Sequence, residues 1–123
     1  MSIMSNAIVR LAVDLAIHDG KLGEFERIAQ TMSAGSQSEP GTLAYAWYLS
    51  ADRKRCRLVE TYTDANAAYA HLTGPVIREL VPQLLQTSKV TGFEVYGDPG
   101  PKAREMLAGF GAEIFQPWHG FSR

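Results

Sequence analysis

An α+β fold with the element order β-α-β-β-α-β is predicted for this chain of 123 residues from three observations. Two segments that alternate apolar and polar residues flank a charged turn in the middle of the sequence. A further alternating segment lies near residue 10 and another near residue 90, and apolar residues at helical spacing fill the intervals between the strands. This order is typical of a four-stranded antiparallel sheet that carries its helices on one side.

The first strand and the first helix occupy the N-terminal third of the chain. The strand is predicted over residues 8–17, where every second residue is a large aliphatic one, and a His18-Asp19-Gly20 turn follows it. A helix is then predicted from Leu22, and Gly35 is expected to end it. Its buried stripe is Leu22, Phe25, Ile28, Ala29 and Met32.

The second and third strands are predicted to form a hairpin with Asp52 and Arg53 at its tip. Tyr45 and Trp47 then share one face of the second strand. Antiparallel pairing around this tip sets four pairs: Leu49 opposite Cys56, Trp47 opposite Leu58, Tyr45 opposite Glu60 and Leu43 opposite Tyr62. A loop of three or five residues would turn one strand over, so this grouping depends on the length of the turn.

The remaining elements complete a ferredoxin-like arrangement. Asp64 is expected to cap a helix over residues 65–72, and Gly74 and Pro75 interrupt it. A third helical stretch is predicted over residues 75–86, either kinked at Pro82 or divided there into two short helices. The last strand is predicted over residues 89–97.

Two regions are distinguished along the chain: a domain over residues 1–97 and a C-terminal tail over residues 98–123. The face of the sheet without helices is rich in small apolar residues, which favours burial against another surface. The tail is predicted to begin with a helix from Pro101 to Gly109, followed by several large apolar side chains. We therefore expect a homodimer with sheets face to face, in which the tail lies across the partner and extends the dimer contact. Those tail residues are Phe110, Ile114, Phe115, Trp118 and Phe121.

Composition excludes several classes of partner. The formal net charge of -1 provides no electrostatic attraction for nucleic acid or for an anionic membrane surface. No apolar run approaches the roughly 20 residues that span a bilayer, and the N-terminus has no signal-peptide pattern. Cys56 is the only cysteine, which fits a reducing compartment. These features predict a cytoplasmic protein.

The hairpin and the helix after it contain a set of short motifs: Glu39-Pro40-Gly41, Glu60, Tyr62, Asp64, Ala67 and His71. In these motifs the chain resembles, over roughly residues 7–97, the antibiotic biosynthesis monooxygenase family, a group of small dimeric α/β-barrel proteins. The resemblance implies a dimer of ferredoxin-like domains. In the characterised enzymes it also implies oxidation of quinol or polyphenolic substrates by molecular oxygen, without metal, flavin or haem. The family also includes members without an established activity.

A related branch degrades haem with a strand-one asparagine, a tryptophan near the end of strand three and a later histidine ligand. Asn6 is near the first position, but Tyr62 lies where the tryptophan is expected, and no histidine occurs between Leu72 and Trp118. Haem degradation therefore ranks below quinol chemistry. No histidine or cysteine spacing typical of a metal site is present, so we predict neither metal nor cofactor.

The sequence indicates five candidate site residues. His71 is the first candidate for a catalytic base because imidazole exchanges protons near neutral pH, and Glu60 is the second because an aromatic surrounding would raise its pKa. Tyr45 and Tyr62 are candidate hydrogen-bond donors to a substrate oxyanion, and Trp47 is a candidate to stack on its ring. A cavity of roughly 300 Å³ would be needed between helices and sheet.

Each candidate also has a structural alternative. His71 could bond a backbone carbonyl, Glu60 could pair with Tyr45 or with a basic side chain of the dimer mate, and the aromatic residues could be ordinary core. The functional hypothesis is a cofactor-independent monooxygenase acting on a quinol or polyphenol. The alternative hypothesis is a non-catalytic dimeric module that binds a small molecule or a partner. Arg57, opposite Tyr48, is expected to contact an aromatic ring or the dimer mate.

Overall fold

The computed structural model describes residues 7–123, and Asn6 therefore lies outside the described part. The strands are β1 (Val9–Ile17), β2 (Thr42–Leu49), β3 (Arg55–Tyr62), β4 (Ser88–Tyr96) and β5 (Glu113–Phe115). The helices are α1 (Leu22–Gln37), α2 (Ala65–Leu72), α3 (Pro75–Thr87) and α4 (Gly100–Gly109). The predicted ferredoxin-like α+β fold is confirmed. Within residues 7–123, no helix is long and apolar enough to cross a membrane.

The sheet has the spatial order β2-β3-β1-β4-β5. Its first four strands are antiparallel, as predicted, whereas β5 adds a fifth strand that runs parallel to β4. The tail therefore pairs with its own chain at Glu113–Phe115, and Phe115 stacks on Tyr96 with ring centroids 5.7 Å apart. The expectation that the tail lies across a partner stays a prediction for the residues beyond β5.

The helices cover one face of the sheet and bury its alternate side chains. All five odd-numbered residues of β1 are buried, in agreement with the alternation of the sequence. Helix α1 continues two residues past Gly35, where the sequence suggested that it would end. A side chain at Gly35 would place its Cβ 2.7 Å from Val76 Cγ2, so this glycine lets α1 and α3 approach closely inside the helix. Helix α3 is a single helix that contains Pro82.

The hairpin has the predicted register at three of four pairs. Leu49 pairs with Cys56, Trp47 with Leu58 and Tyr45 with Glu60. The fourth pairing was wrong, because a bulge between Thr42 and Ala44 leaves Leu43 exposed and sets Thr42 opposite Tyr62. A bulge inserts one extra residue into a strand, and alternation alone does not reveal it.

The opposite face of the sheet is largely exposed in the described part of the chain, although the Arg10 guanidinium of β1 donates a hydrogen bond to the Ser122 hydroxyl of the tail at 3.1 Å. Tyr48 is 61% exposed there and pairs with Arg57 across the hairpin, as predicted. The Arg57 guanidinium donates two hydrogen bonds to the Asp14 carboxylate, at 2.6 and 3.2 Å, an ion pair that the sequence interpretation did not include. Arginine forms such a two-pronged contact readily because the guanidinium geometry matches a carboxylate. The expected contact of Arg57 with an aromatic ring or with the dimer mate stays a prediction.

Candidate active site

Helix α2 brings His71 against the end of the hairpin, and two local features fix its position. The Asp64 carboxylate accepts a hydrogen bond from the Ala67 backbone N–H at 2.8 Å, which caps the helix as predicted. The loop before β2 passes very close to the same turn: a Cβ added at Gly41 would lie 2.4 Å from Ala67 Cβ. Gly41 therefore allows the Glu39-containing loop and α2 to touch.

We expect Gly41→Ala to lower the free energy of unfolding by about 1–3 kcal/mol, the usual cost of overpacking, because its methyl group collides with α2. Gly109→Ala is the matched control, since a Cβ there meets nothing within 4 Å and should change stability by no more than about 0.5 kcal/mol. Urea unfolding of both variants measures the difference. Equal stability of the two variants would contradict the close contact.

His71 is enclosed, and its two ring nitrogens face two carboxyl groups. Nδ1 lies 2.8 Å from Glu39 Oε1, and Nε2 lies 3.6 Å from Glu60 Oε1. Glu39 Oε1 also accepts a hydrogen bond from the Thr42 hydroxyl at 2.7 Å. Because an ionised carboxylate only accepts hydrogen bonds, the Glu39 contact assigns a proton to Nδ1. Nε2 is buried without a hydrogen bond among the described residues.

Glu60 is a buried carboxyl group inside an apolar surrounding. The Tyr62 hydroxyl donates a hydrogen bond to Glu60 Oε1 at 2.5 Å. Burial raises the pKa of Glu60 above its ordinary value of 4.5, while the nearby His71 and the Tyr62 hydrogen bond oppose that rise. A carboxylate with a raised pKa is a stronger base, and it can exchange protons closer to neutral pH.

The raised pKa of Glu60 predicts a pH dependence of stability. Because the folded state holds this proton more tightly than the unfolded state, the contribution is complete below 4.5 and is lost as the pH rises through the folded-state pKa. The free energy of unfolding of the natural protein should therefore fall relative to that of Glu60→Gln as the pH rises from 4.5 to the folded-state pKa. Urea unfolding across this range measures the difference. Parallel curves would contradict the raised pKa.

Two tyrosines next to Glu60 remain protonated and therefore act as hydrogen-bond donors. Burial raises the pKa of both Tyr45 and Tyr62, and the charge of Glu60 raises both further. Tyr62 uses its hydroxyl on Glu60, whereas the buried Tyr45 hydroxyl makes no hydrogen bond of good geometry within the described part of the chain. The Ser36 side chain near this hydroxyl lowers the pKa of Tyr45, against the larger effect of burial. Both rings lie against the His71 ring, with centroids 5.3 Å away.

A cavity of about 110 Å³ lies between the sheet and the helices, next to this cluster. Glu60 and Tyr45 are the only residues of its lining with polar side-chain groups. The other lining residues are Leu11, Val13, Leu15, Met32, Leu58, Leu72, Ile77, Val81, Leu84, Leu85, Val90, Phe93 and Phe110. The cavity is smaller than the roughly 300 Å³ expected for a bicyclic ligand, and smaller than the ~150 Å³ that encloses a benzene ring.

The structure brings four of the five candidate residues together and separates one. His71, Glu60, Tyr62 and Tyr45 form one cluster, but of these only Glu60 and Tyr45 line the cavity. The Trp47 indole instead donates a hydrogen bond to the Ser33 hydroxyl of α1 at 2.8 Å and packs edge-on against Phe25. Trp47 is not part of the cavity lining. This arrangement favours Glu60 over His71 as the group nearest to a ligand.

Glu39 is the member of the cluster that the sequence interpretation missed. It was considered only as part of the Glu39-Pro40-Gly41 turn, and no sequence pattern indicated that its side chain would reach His71. Its side chain is 24% exposed, so Glu39 connects the enclosed His71 with the surface. The resulting chain of groups runs Glu39, His71, Glu60 and Tyr62.

Comparison with known proteins agrees with this fold. The family model for antibiotic biosynthesis monooxygenases matches residues 8–83, more than half of the chain. The chain belongs to the antibiotic biosynthesis monooxygenase family. Family membership supports a monooxygenase-like function, and all residues of the Glu39–His71–Glu60–Tyr62 cluster lie within the matched part. A search of curated protein sequences finds no match.

Solved structures share the fold at low sequence identity. MupZ from Pseudomonas fluorescens is 24% identical, with a TM-score of 0.84, over 96% of both chains. SnoaB from Streptomyces nogalater, described as a cofactor-independent oxygenase, is 18% identical with a TM-score of 0.67, over 77% of this chain and 96% of its own. Rv0793 from Mycobacterium tuberculosis is 19% identical with a TM-score of 0.64, over 76% of this chain and 97% of its own. The MupZ match extends well past residue 97, so MupZ shares most of the C-terminal tail region.

Proposed function

We propose that the protein is a cofactor-independent monooxygenase that oxidises a small phenol or quinol bound between the helices and the sheet. The observation that carries this proposal is a single ionisable carboxyl group, that of Glu60, at the wall of an otherwise apolar cavity. Membership in a monooxygenase family supports the same reaction class. The description of SnoaB, which has the same fold, as a cofactor-independent oxygenase is consistent with it.

The proposed reaction begins with transfer of the phenolic proton to the Glu60 carboxylate. The Tyr45 hydroxyl, which makes no hydrogen bond of good geometry among residues 7–123, would donate to the phenolate oxygen and stabilise its charge. Tyr62 would keep the Glu60 carboxyl oriented through its hydrogen bond. Because the remaining lining is apolar, little water would compete for the anion.

The phenolate then supplies the electrons that reduce oxygen. An electron-rich ring carbon forms a bond to molecular oxygen, and the peroxide anion takes up the proton that the phenol gave to Glu60. The resulting hydroperoxide then loses the proton of that carbon, which combines with the departing hydroxide. Cleavage of the O–O bond leaves one oxygen on the ring as a carbonyl and releases the other as water. A phenol plus O₂ thus gives a quinone plus water, with all four electrons supplied by the substrate, so the step needs no other reductant.

We propose that His71 receives the proton from Glu60. Glu39 holds the imidazole in place. The free Nε2 atom is 3.6 Å from Glu60 Oε1, close enough for transfer after a small movement or through one water molecule. The negative charge of Glu39 on Nδ1 would stabilise the imidazolium that results. Since Glu39 is partly exposed, the relay would return Glu60 to its basic form without opening the cavity.

Oxygen consumption by the metal-stripped protein tests the proposed function. The panel should begin with single-ring hydroquinones and extend to bicyclic ones, with the autoxidation rate of each compound subtracted. We expect saturable uptake for at least one compound. No uptake above autoxidation for any compound would replace this proposal with the non-catalytic binding module.

We also propose that a second copy of the chain covers the open face of the sheet. Tyr48 of β2 and Tyr96 of β4 are exposed on that face, and Trp118 and Phe121 are exposed in the tail. Exposed apolar side chains grouped in this way mark an interaction surface. Light scattering coupled to gel filtration measures the mass directly. A monomeric mass at micromolar protein concentration would contradict the homodimer.

A further inference from the structure

The C-terminal tail contributes one side chain, Phe110, to the cavity lining. Phe110 directly follows α4, and its ring stacks on Phe93 with centroids 6.3 Å apart and planes 8° from parallel. Phe93 lies on β4 and also lines the cavity. Phe110 is 48% exposed, and two further lining residues, Leu85 and Val90, are exposed as well. These three exposed side chains mark the mouth of the cavity, and Phe110 is its aromatic member.

The rest of the tail helix is firmly anchored to the domain. Ala103 and Leu107 of α4 are buried in the same apolar cluster as Ala68 and Leu72 of α2. The Phe110 backbone N–H donates a hydrogen bond to the Leu107 carbonyl at 3.0 Å, which holds the Phe110 backbone at the end of α4. Because the backbone of Phe110 is held and the side chain is about half exposed, its ring can leave Phe93 by side-chain rotation.

We propose that Phe110 sets the upper size of the ligand that the cavity accepts. With Phe110 on Phe93, the cavity of about 110 Å³ is smaller than a space that encloses a single aromatic ring. A single ring therefore needs some opening at the mouth, and a two-ring ligand needs a larger one, which Phe110 opposes. The inference rests on the proposed function only in taking this cavity as the ligand site. Phe110 lies outside residues 8–83, the part of the chain that matches the family model. The proposed size limit therefore comes from the C-terminal tail.

Anaerobic binding of phenol and of 1-naphthol tests the size limit without turnover. Naphthol fluorescence gives one dissociation constant, and displacement of naphthol by phenol gives the other. Relative to the natural protein, Phe110→Ala should shift the preference toward naphthol by about tenfold, equivalent to about 1.4 kcal/mol. Phe110→Leu, which keeps an apolar side chain at the mouth, should give an intermediate shift.

Leu43→Ala is the control, because this large apolar side chain is also exposed, is not part of the cavity lining and lies outside the tail. The inference is overturned if Phe110→Ala leaves the preference unchanged, or if neither compound binds to any of the proteins. A shifted preference without oxygen uptake would support the size limit while contradicting the monooxygenase. Uptake with an unchanged preference would support the monooxygenase and contradict the size limit.

Discussion

Glu60→Gln should lower the rate of oxygen uptake by about 10²–10⁴-fold, the usual contribution of a positioned acid or base. The amide is close in size to the carboxyl group and can still accept the Tyr62 hydrogen bond, so the cavity wall should be preserved. It cannot take a proton from a phenol. We therefore expect a large loss in kcat with folding and ligand binding retained.

Glu94→Gln is a closely matched control for this substitution. Glu94 also accepts a hydrogen bond from a tyrosine two residues later, Tyr96, but it is exposed and is not part of the cavity lining. Its loss should leave uptake within about twofold of the natural rate, as expected for a surface change. Equal rates for Glu60→Gln and the natural protein would remove Glu60 from the mechanism.

His71→Ala should lower oxygen uptake by at least about tenfold, because Glu60 loses the nitrogen that is proposed to receive its proton. Glu39→Gln distinguishes a role of Glu39 in the proton relay from a role in packing. It keeps a hydrogen-bond acceptor for Thr42 and His71 but removes the negative charge. We expect Glu39→Gln to lower kcat with little change in KM and to alter the pH profile of kcat. A merely structural role for Glu39 would leave that profile unchanged.

His18→Ala provides the control for removal of a histidine. His18 lies exposed in the turn after β1, and it is not part of the cavity lining, so its loss should not alter uptake. Unfolding curves for all four proteins show whether a lost rate reflects a lost fold. If His71→Ala folds and consumes oxygen at the natural rate, the relay is contradicted and His71 has a packing role only.

The sequence was sufficient to predict the pairing at the centre of the site. Alternation with a period of two, together with the length of the hairpin turn, sets Tyr45 opposite Glu60, because one misplaced residue would turn a whole strand over. The helix cap at Asp64 was equally local and was also predicted correctly. Features that depend on neighbouring residues in the chain could therefore be derived from the sequence alone.

Features that depend on distant contacts could not be derived in this way. Glu39 and His71 are 32 residues apart, and only the close approach at Gly41 brings their side chains together. Trp47 was expected on the ligand face, but Ser33 of α1 offers its indole a hydrogen bond away from the cavity. The three residues of β5 are too few to show a period, and their partner strand is remote in sequence.

The most direct test of the proton transfer to Glu60 is the absorption spectrum of 4-nitrophenol bound anaerobically to the metal-stripped protein, because its phenol and phenolate forms absorb at different wavelengths. Glu60→Gln is compared at the same pH and at saturating ligand. The account predicts bound phenolate in the natural protein and bound neutral phenol in Glu60→Gln. The same ionisation state of bound nitrophenol in both proteins would contradict Glu60 as the group that accepts the proton.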